Sequence, residues 1–143
     1  MANSVSVVRK NIHREIMMRK LLFICGIFFG TSVFATAEWI DIGTTRSNDR
    51  FFIDVNSIER SGDSVTYWVK VNNAARDADG TMSAKIQQTI NCRHRQFVSR
   101  YIIAYDELDN NGRILVARET KRSWSPIPPE TMIYSHSQLL CER

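Results

Sequence analysis

Apolar and polar positions alternate with a period of two through several short stretches of residues 38–143, the pattern of strands buried on one face. The clearest sets Val65, Tyr67, Val69 and Val71 against Thr66, Trp68, Lys70 and Asn72. In the next, Ala84, Ile86, Ile90 and Cys92 oppose Lys85, Gln87, Thr89 and Asn91, and Gln88 is the one polar residue on the apolar side. Trp39, Ile40 and Ile42 predict a first strand ending at Gly43, and residues 51–55 a second, followed by Asn56-Ser57-Ile58. Residues 97–105 predict a fifth strand, with Phe97, Tyr101, Ile103 and Tyr105 on one face and Val98, Ile102 and Ala104 on the other. Residues 113–117 predict a sixth. The links carry turn chemistry: Arg60-Ser61-Gly62-Asp63, the polar run 72–80, and Asn111-Gly112. Strands joined by hairpin-length links make an antiparallel meander.

The period then changes. Ser125-Pro126-Ile127-Pro128-Pro129 reads as a stiff extended connection. Met132, Ile133, His136, Leu139 and Leu140 follow helical spacing. A proline in the first turn and Glu130 at the positive end are expected to start that helix. Three turns are marginal alone in water, so the helix must lie on the sheet. The predicted class is α+β, mostly β: about six antiparallel strands with a C-terminal helix.

The leader changes the charge picture. Arg19-Lys20, the uncharged apolar run 21–34 and Ala35-Thr36-Ala37 have the order of a secretory signal with a small-x-small cleavage site. Fourteen helical residues span about 21 Å, short of the ~30 Å hydrocarbon core, so residues 1–37 read as a signal peptide and 38–143 as the mature domain, with no transmembrane span. A start at Met17 or Met18 gives a conventional leader and makes 1–16 a mis-called start. Bulky Phe23 and Ile24 before Cys25 argue against lipidation there. The leader holds five basic residues and one acidic, so the 19 basic and 15 acidic residues of the chain become 14 of each. A neutral mature domain gives no bulk electrostatic case for nucleic acid or an anionic membrane.

Export also decides the cysteines. Cys92 and Cys141 are the only pair left, and an oxidising compartment favours their disulfide, closing a 49-residue loop and pinning the helix to the sheet. The rival arrangement is a Zn²⁺ held by Cys92, His94, His136 and Cys141, with spacing unlike a zinc finger. Arg93, Arg95 and Arg100 form the densest basic cluster, followed by Lys121-Arg122. Either could meet an acidic partner or simply solvate a strand end. Glu107 to Gly112 imitates a calcium loop, but Arg118 occupies the position that needs a bidentate Glu, and a hairpin turn fits better. Asp54 could be a catalytic carboxylate or could bond the backbone of its own turn. Trp39, Trp68 and Trp124 could form a ligand platform or belong to the core. No Ser-His-Asp set, paired carboxylates or phosphate loop stands out.

The ordered set Trp39-x-x-Ile42, Phe51-Phe52-Ile53-Asp54-x-x-Ser57-Ile58, Val65-x-x-Trp68, the cysteine strand, Trp124-x-x-Ile127-x-Pro129 and Cys141 resembles the surface-adhesin protein E family of bacterial envelope proteins. The resemblance covers nearly all of the mature domain. It implies a six-stranded antiparallel sheet with a C-terminal helix held by a disulfide; the residues themselves call for no cofactor. It also implies a protein partner, with extracellular-matrix and plasma proteins such as vitronectin, laminin and plasminogen as ligands of the founding adhesin. The expected function is an exported non-catalytic binding module of the periplasm or cell surface, with Arg93 and Arg95 as candidate contacts. The alternative is a periplasmic protein of structural, metal-binding or small enzymatic role, using the histidines and Asp54.

Mass spectrometry of exported material is expected to give an N-terminus at Glu38. A diacylglyceryl group on Cys25 would overturn this.

Overall fold

The computed structural model describes residues 36–120 and 123–142. Residues 1–35, Cys25 among them, and the Lys121-Arg122 pair lie outside those residues.

The strands are β1 (Trp39–Thr44), β2 (Arg50–Ser61), β3 (Ser64–Asn72), β4 (Ser83–Asn91), β5 (Gln96–Tyr105), β6 (Ile114–Glu119) and a two-residue β7 (Ser125–Pro126), followed by helix α1 (Met132–Cys141). The first six pair antiparallel in chain order, and β7 pairs with β5 at Gln96 and Phe97. The expected meander is therefore present, with one short strand added that only two extended residues before a proline pair could supply.

Directly opposed residues share a face of the sheet, so the register sorts the side chains. Val65, Tyr67 and Val69 oppose Ile90, Gln88 and Ile86 on the face that carries the helix. Ile53, Val65, Tyr67, Val69, Ile90 and Leu140 are the buried centre of this core, flanked by Ile42, Phe51, Ile58, Phe97, Ile127 and Ile133. Burying a side chain of this size contributes about 1.5–3 kcal/mol. Gln88, the odd polar residue of that pattern, accepts a hydrogen bond from Tyr67 Oη at 3.0 Å.

Two bulges reshape the strands. In β2 the pairing jumps from Asp54↔Trp68 to Glu59↔Thr66, leaving four residues opposite Tyr67 alone. Ser57 fills the gap: its hydroxyl accepts from Trp68 N–H at 2.9 Å and donates to the Asp54 carbonyl at 2.7 Å, standing in for a ladder hydrogen bond. In β5 the pairing passes from Gln88↔Ser99 to Gln87↔Tyr101, so Arg100 is the extra residue. Strict alternation had put Phe97 and Tyr101 on one face. The bulge separates them: Phe97 packs on the helix-side core, while Tyr101 meets Trp68 on the other face.

The helix also corrects its expected start and face. Neither a proline nor Glu130 lies in its first turn. Glu130 has φ +60°, and Thr131 is the N-cap, its Oγ1 accepting from Tyr134 N–H at 3.3 Å and donating to the Pro128 carbonyl at 2.7 Å. His136, Ser137 and Leu140 are buried, while Leu139 is 60% exposed. The contact face is centred on Ile133, His136 and Leu140, the i, i+3, i+7 set, and Leu139 points away from it.

Two interactions hold α1 down. The Cys92–Cys141 disulfide ties its last residue to the end of β4, with Cα atoms 5.6 Å apart. His136, 2% exposed, places Nδ1 2.9 Å from Tyr67 Oη, and its ring lies edge-on to Tyr67 and tilted against Phe51. Burial drives the His136 pKa down to about 4 and raises that of Tyr67.

Cys141→Ser is expected to lower stability by about 2–5 kcal/mol in chemical denaturation, with m rising because the unfolded chain loses its cross-link and exposes more surface. His136 gives a separate signature. Its folded pKa lies below the unfolded value of 6.5, so the unfolded chain binds the extra proton and stability falls as pH drops from 6.5 to 4. The loss should reach about 3 kcal/mol and level off below pH 4. Urea melts across that range should show it, and His136→Leu should flatten the slope.

Candidate functional site

The turn between β4 and β5 carries both candidate arginines. It begins at Cys92, whose N–H donates to the Asp63 carbonyl at 2.8 Å and whose sulfur is bonded to Cys141. Asn91 Oδ1 accepts from His94 N–H at 2.9 Å, a side-chain bond across three residues that tightens the reversal. Arg95 closes it at φ +52°, and its carbonyl accepts from Ile127 N–H at 3.1 Å. The backbone is thus tied on three sides: to the β2–β3 hairpin, to the helix and to the β7 connection.

The two arginines diverge. Arg93 Nε lies 2.8 Å from Asp63 Oδ2, with both side chains well exposed, a pair worth about 0–1 kcal/mol. Arg95 instead lines a pocket of about 190 Å³ beside the disulfide. Ile90, Ile127 and the disulfide supply its apolar surface, Ser137 and Gln138 its polar surface, and Glu142 its acidic side. An entering side chain would find an apolar wall, a guanidinium and a carboxylate. Arg100, the third member of the cluster, is not there. It is the bulge residue of β5, and its Nε donates to Thr89 Oγ1 at 2.6 Å.

The other candidates resolve into local structure. The sulfurs of Cys92 and Cys141 are bonded to each other, so the pair offers no thiolates for Zn²⁺. His94 is exposed on the turn, whereas His136 is buried against Tyr67. Asp54, 6% exposed, accepts from the backbone N–H groups of Asn56 at 3.2 Å and Glu38 at 2.9 Å. The calcium-like stretch contains a short 3-10 turn, Leu108–Asn110, in a wide hairpin. There Asp106 takes the Arg113 guanidinium and Asp109 the Lys70 ammonium, and these partners hold both carboxyls below the ordinary range.

The tryptophans do not assemble as a trio. Trp124 lies 44% exposed before β7, but Trp39 and Trp68 share the sheet face away from α1. That face holds an aromatic–cation row the sequence reading missed. Lys70 Nζ lies 4.3 Å from the Phe52 centroid and 5.4 Å from that of Trp39, while Lys85 Nζ lies 4.6 Å from Trp68 and 5.6 Å from Trp39. Each such contact contributes about 0.5–2 kcal/mol, depending on desolvation. The lysine stems cover ring surface that no helix among the described residues covers, and their ammonium groups keep that face polar. The signal was present in Lys70 and Lys85, which alternation places on the polar side together with Trp68.

Comparison with known proteins agrees with this architecture. The family model for surface-adhesin protein E matches residues 39–142. Among solved structures, the selenomethionine form of Haemophilus influenzae protein E superposes with a TM-score of 0.56 at 18% identity, covering 76% of this chain and 88% of that one. Protein E from non-typeable Haemophilus influenzae gives 0.54 at 19%, covering 76% and 78%. Crystal form II of the Haemophilus influenzae protein gives 0.52 at 21%, covering 64% and 79%. At these identities the likeness is one of fold. No curated relative matches the chain at a significant level. The family match spans every strand and the helix, and it places the protein in the bacterial envelope as an exported binding module: the chain belongs to the surface-adhesin protein E family.

Proposed function

We propose that this protein is a non-catalytic envelope module that binds an acidic segment of an extracellular-matrix or plasma protein at the Arg93–Arg95 turn. The observation that carries this reading is Arg95 beside an open pocket on a turn whose backbone is tied by the disulfide and by Ile127. A fixed backbone under a free cationic side chain lowers the ordering cost of binding. The pocket is of a size to accept one side chain of the partner, and Arg95 then meets a carboxylate on the same segment. Arg93, already paired with Asp63 in an exposed position, adds charge at the rim. The family's description as a surface adhesin agrees with a protein partner.

Arg95→Glu should weaken binding to an acidic matrix protein about tenfold or more, a loss on the order of 1.4 kcal/mol. Arg93→Glu should have a smaller effect. Binding should weaken as salt shortens the screening length to about 8 Å. Surface plasmon resonance at low and physiological salt measures both, with circular dichroism to verify the fold. Unchanged binding in a folded Arg93→Glu/Arg95→Glu double variant would overturn this site.

A further inference from the structure

Residues ahead of β1 are already docked on β2. The Thr36 carbonyl accepts from Asn56 Nδ2 at 2.9 Å, and the Glu38 carbonyl accepts from Val55 N–H at 3.0 Å. Between them, Glu38 N–H donates to Asp54 Oδ1 at 2.9 Å. These contacts fall on the start of the β2 bulge, where the ladder to β3 is interrupted and Asp54 turns its carboxylate toward the incoming chain.

Asp54 is 6% exposed, and its Oδ1 accepts from the two backbone N–H groups of Glu38 and Asn56. A carboxylate removed from water is compensated best by a full positive charge, which two amides do not supply. The sequence offers one. Ala35-Thr36-Ala37 is the small-x-small pattern of a leader cleavage site, and the bond after it joins Ala37 to Glu38. Hydrolysis breaks that C–N bond. The oxygen of water goes to the Ala37 carbonyl carbon, and the released nitrogen takes up protons to become an ammonium at neutral pH. The nitrogen released is the atom that lies 2.9 Å from Asp54.

We propose that Asp54 is the receptor for the mature amino terminus: cleavage after Ala37 converts an amide hydrogen bond into an ammonium–carboxylate pair that fastens β1 to β2. The pair forms only when cleavage falls at this bond. One residue earlier or later, the charge sits a residue away and an amide or nothing faces Asp54. The inference rests on the leader reading of residues 1–37 and is independent of the Arg95 pocket.

The test uses the full chain expressed with its own leader, with the exported protein purified and its N-terminus identified by mass spectrometry. NMR titration of the α-amino group, or its labelling rate against pH, then reads the pair. A paired amine should titrate about one unit or more above the ordinary 7.7–8.0, so labelling at pH 7.5 should run about tenfold slower than in Asp54→Asn. Asparagine keeps an oxygen to accept the same hydrogen bonds, so that variant tests charge rather than shape. Because the folded amine pKa is raised, the stabilisation is present below about pH 8 and is lost as pH rises through the folded value. The melting temperatures of the wild type and Asp54→Asn should therefore converge toward pH 10. A glycine inserted between Ala37 and Glu38 should lower the melting temperature at pH 7 and add nothing in the Asp54→Asn background, a cycle that stands even if one variant is poorly stable. An N-terminus other than Glu38 would overturn the proposal through its cleavage step. A Glu38 terminus whose amine titrates normally and ignores Asp54→Asn would overturn the pairing while leaving the leader reading intact.

Discussion

A sheet of six strands has two faces, and helix α1 lies against only one of them. Everything else in the domain follows from how each face is closed. On the helix side, Tyr67 is the hinge of the solution: fully buried, its hydroxyl donates to Gln88 Oε1 and shares a second hydrogen bond with His136 Nδ1, so its polar end is satisfied inside an otherwise apolar core. The bond between Tyr67 and His136 also sets the height and rotation of α1, because it fixes the helix at one point and the disulfide fixes it at another. A ten-residue helix would fray in isolation, and these two anchors replace the length it lacks. On the opposite side no helix among the described residues is offered, and the sheet is covered by its own long side chains, with lysine stems laid across Trp39, Phe52 and Trp68.

The same economy explains why the irregularities lie where they do. The β2 bulge spends four residues opposite Tyr67, and its polar members are used together with the residue just before it: Asp54 receives the chain entering β1, Asn56 donates to the Thr36 carbonyl, and Ser57 replaces a ladder bond. The β5 bulge at Arg100 rotates the rest of that strand so that Tyr101 joins Trp68 while Phe97 stays in the core. Without it one of these two rings would face the wrong environment. The anchored turn between β4 and β5 inherits rigidity from the disulfide on one side and from β7 on the other. That is the physical ground for placing recognition there rather than on the wide β5–β6 hairpin, where Asp106 and Asp109 are already paired.

An envelope setting suits this construction. The disulfide needs an oxidising compartment, and the 14 basic and 14 acidic residues of 38–143 leave recognition to local geometry rather than to a broad field. In the proposed pairing, Asp54, the one nearly buried carboxylate among the described residues, links export to folding. The proposed cleavage after Ala37 and the closure of the first strand pair then meet at a single nitrogen atom.

The sequence by itself determined the number and order of the main strands, the meander, the C-terminal helix and the cysteine pair, because each is written in local periodicity, turn residues or simple counting. It also put His136 on the inward face of the helix. The tertiary structure alone decided what depended on register. Alternation cannot foresee a residue that drops out of the ladder, so Tyr101 changed face and Lys70, on the polar side, became 7% exposed beneath its neighbours. The start of α1 was decided by which hydroxyl reached the first free amides, and Thr131 did so where the prolines and Glu130 did not. Leu139 fits a helical stripe in one dimension, but the disulfide and His136 set the rotation that exposes it. Arg93 and Arg95 are two residues apart in the chain and reach different surroundings, because the left-handed turn at Arg95 sends its side chain toward the helix while Arg93 reaches Asp63. Sequence spacing records neighbours along the backbone; only the closed sheet decides which of them share a neighbourhood in space.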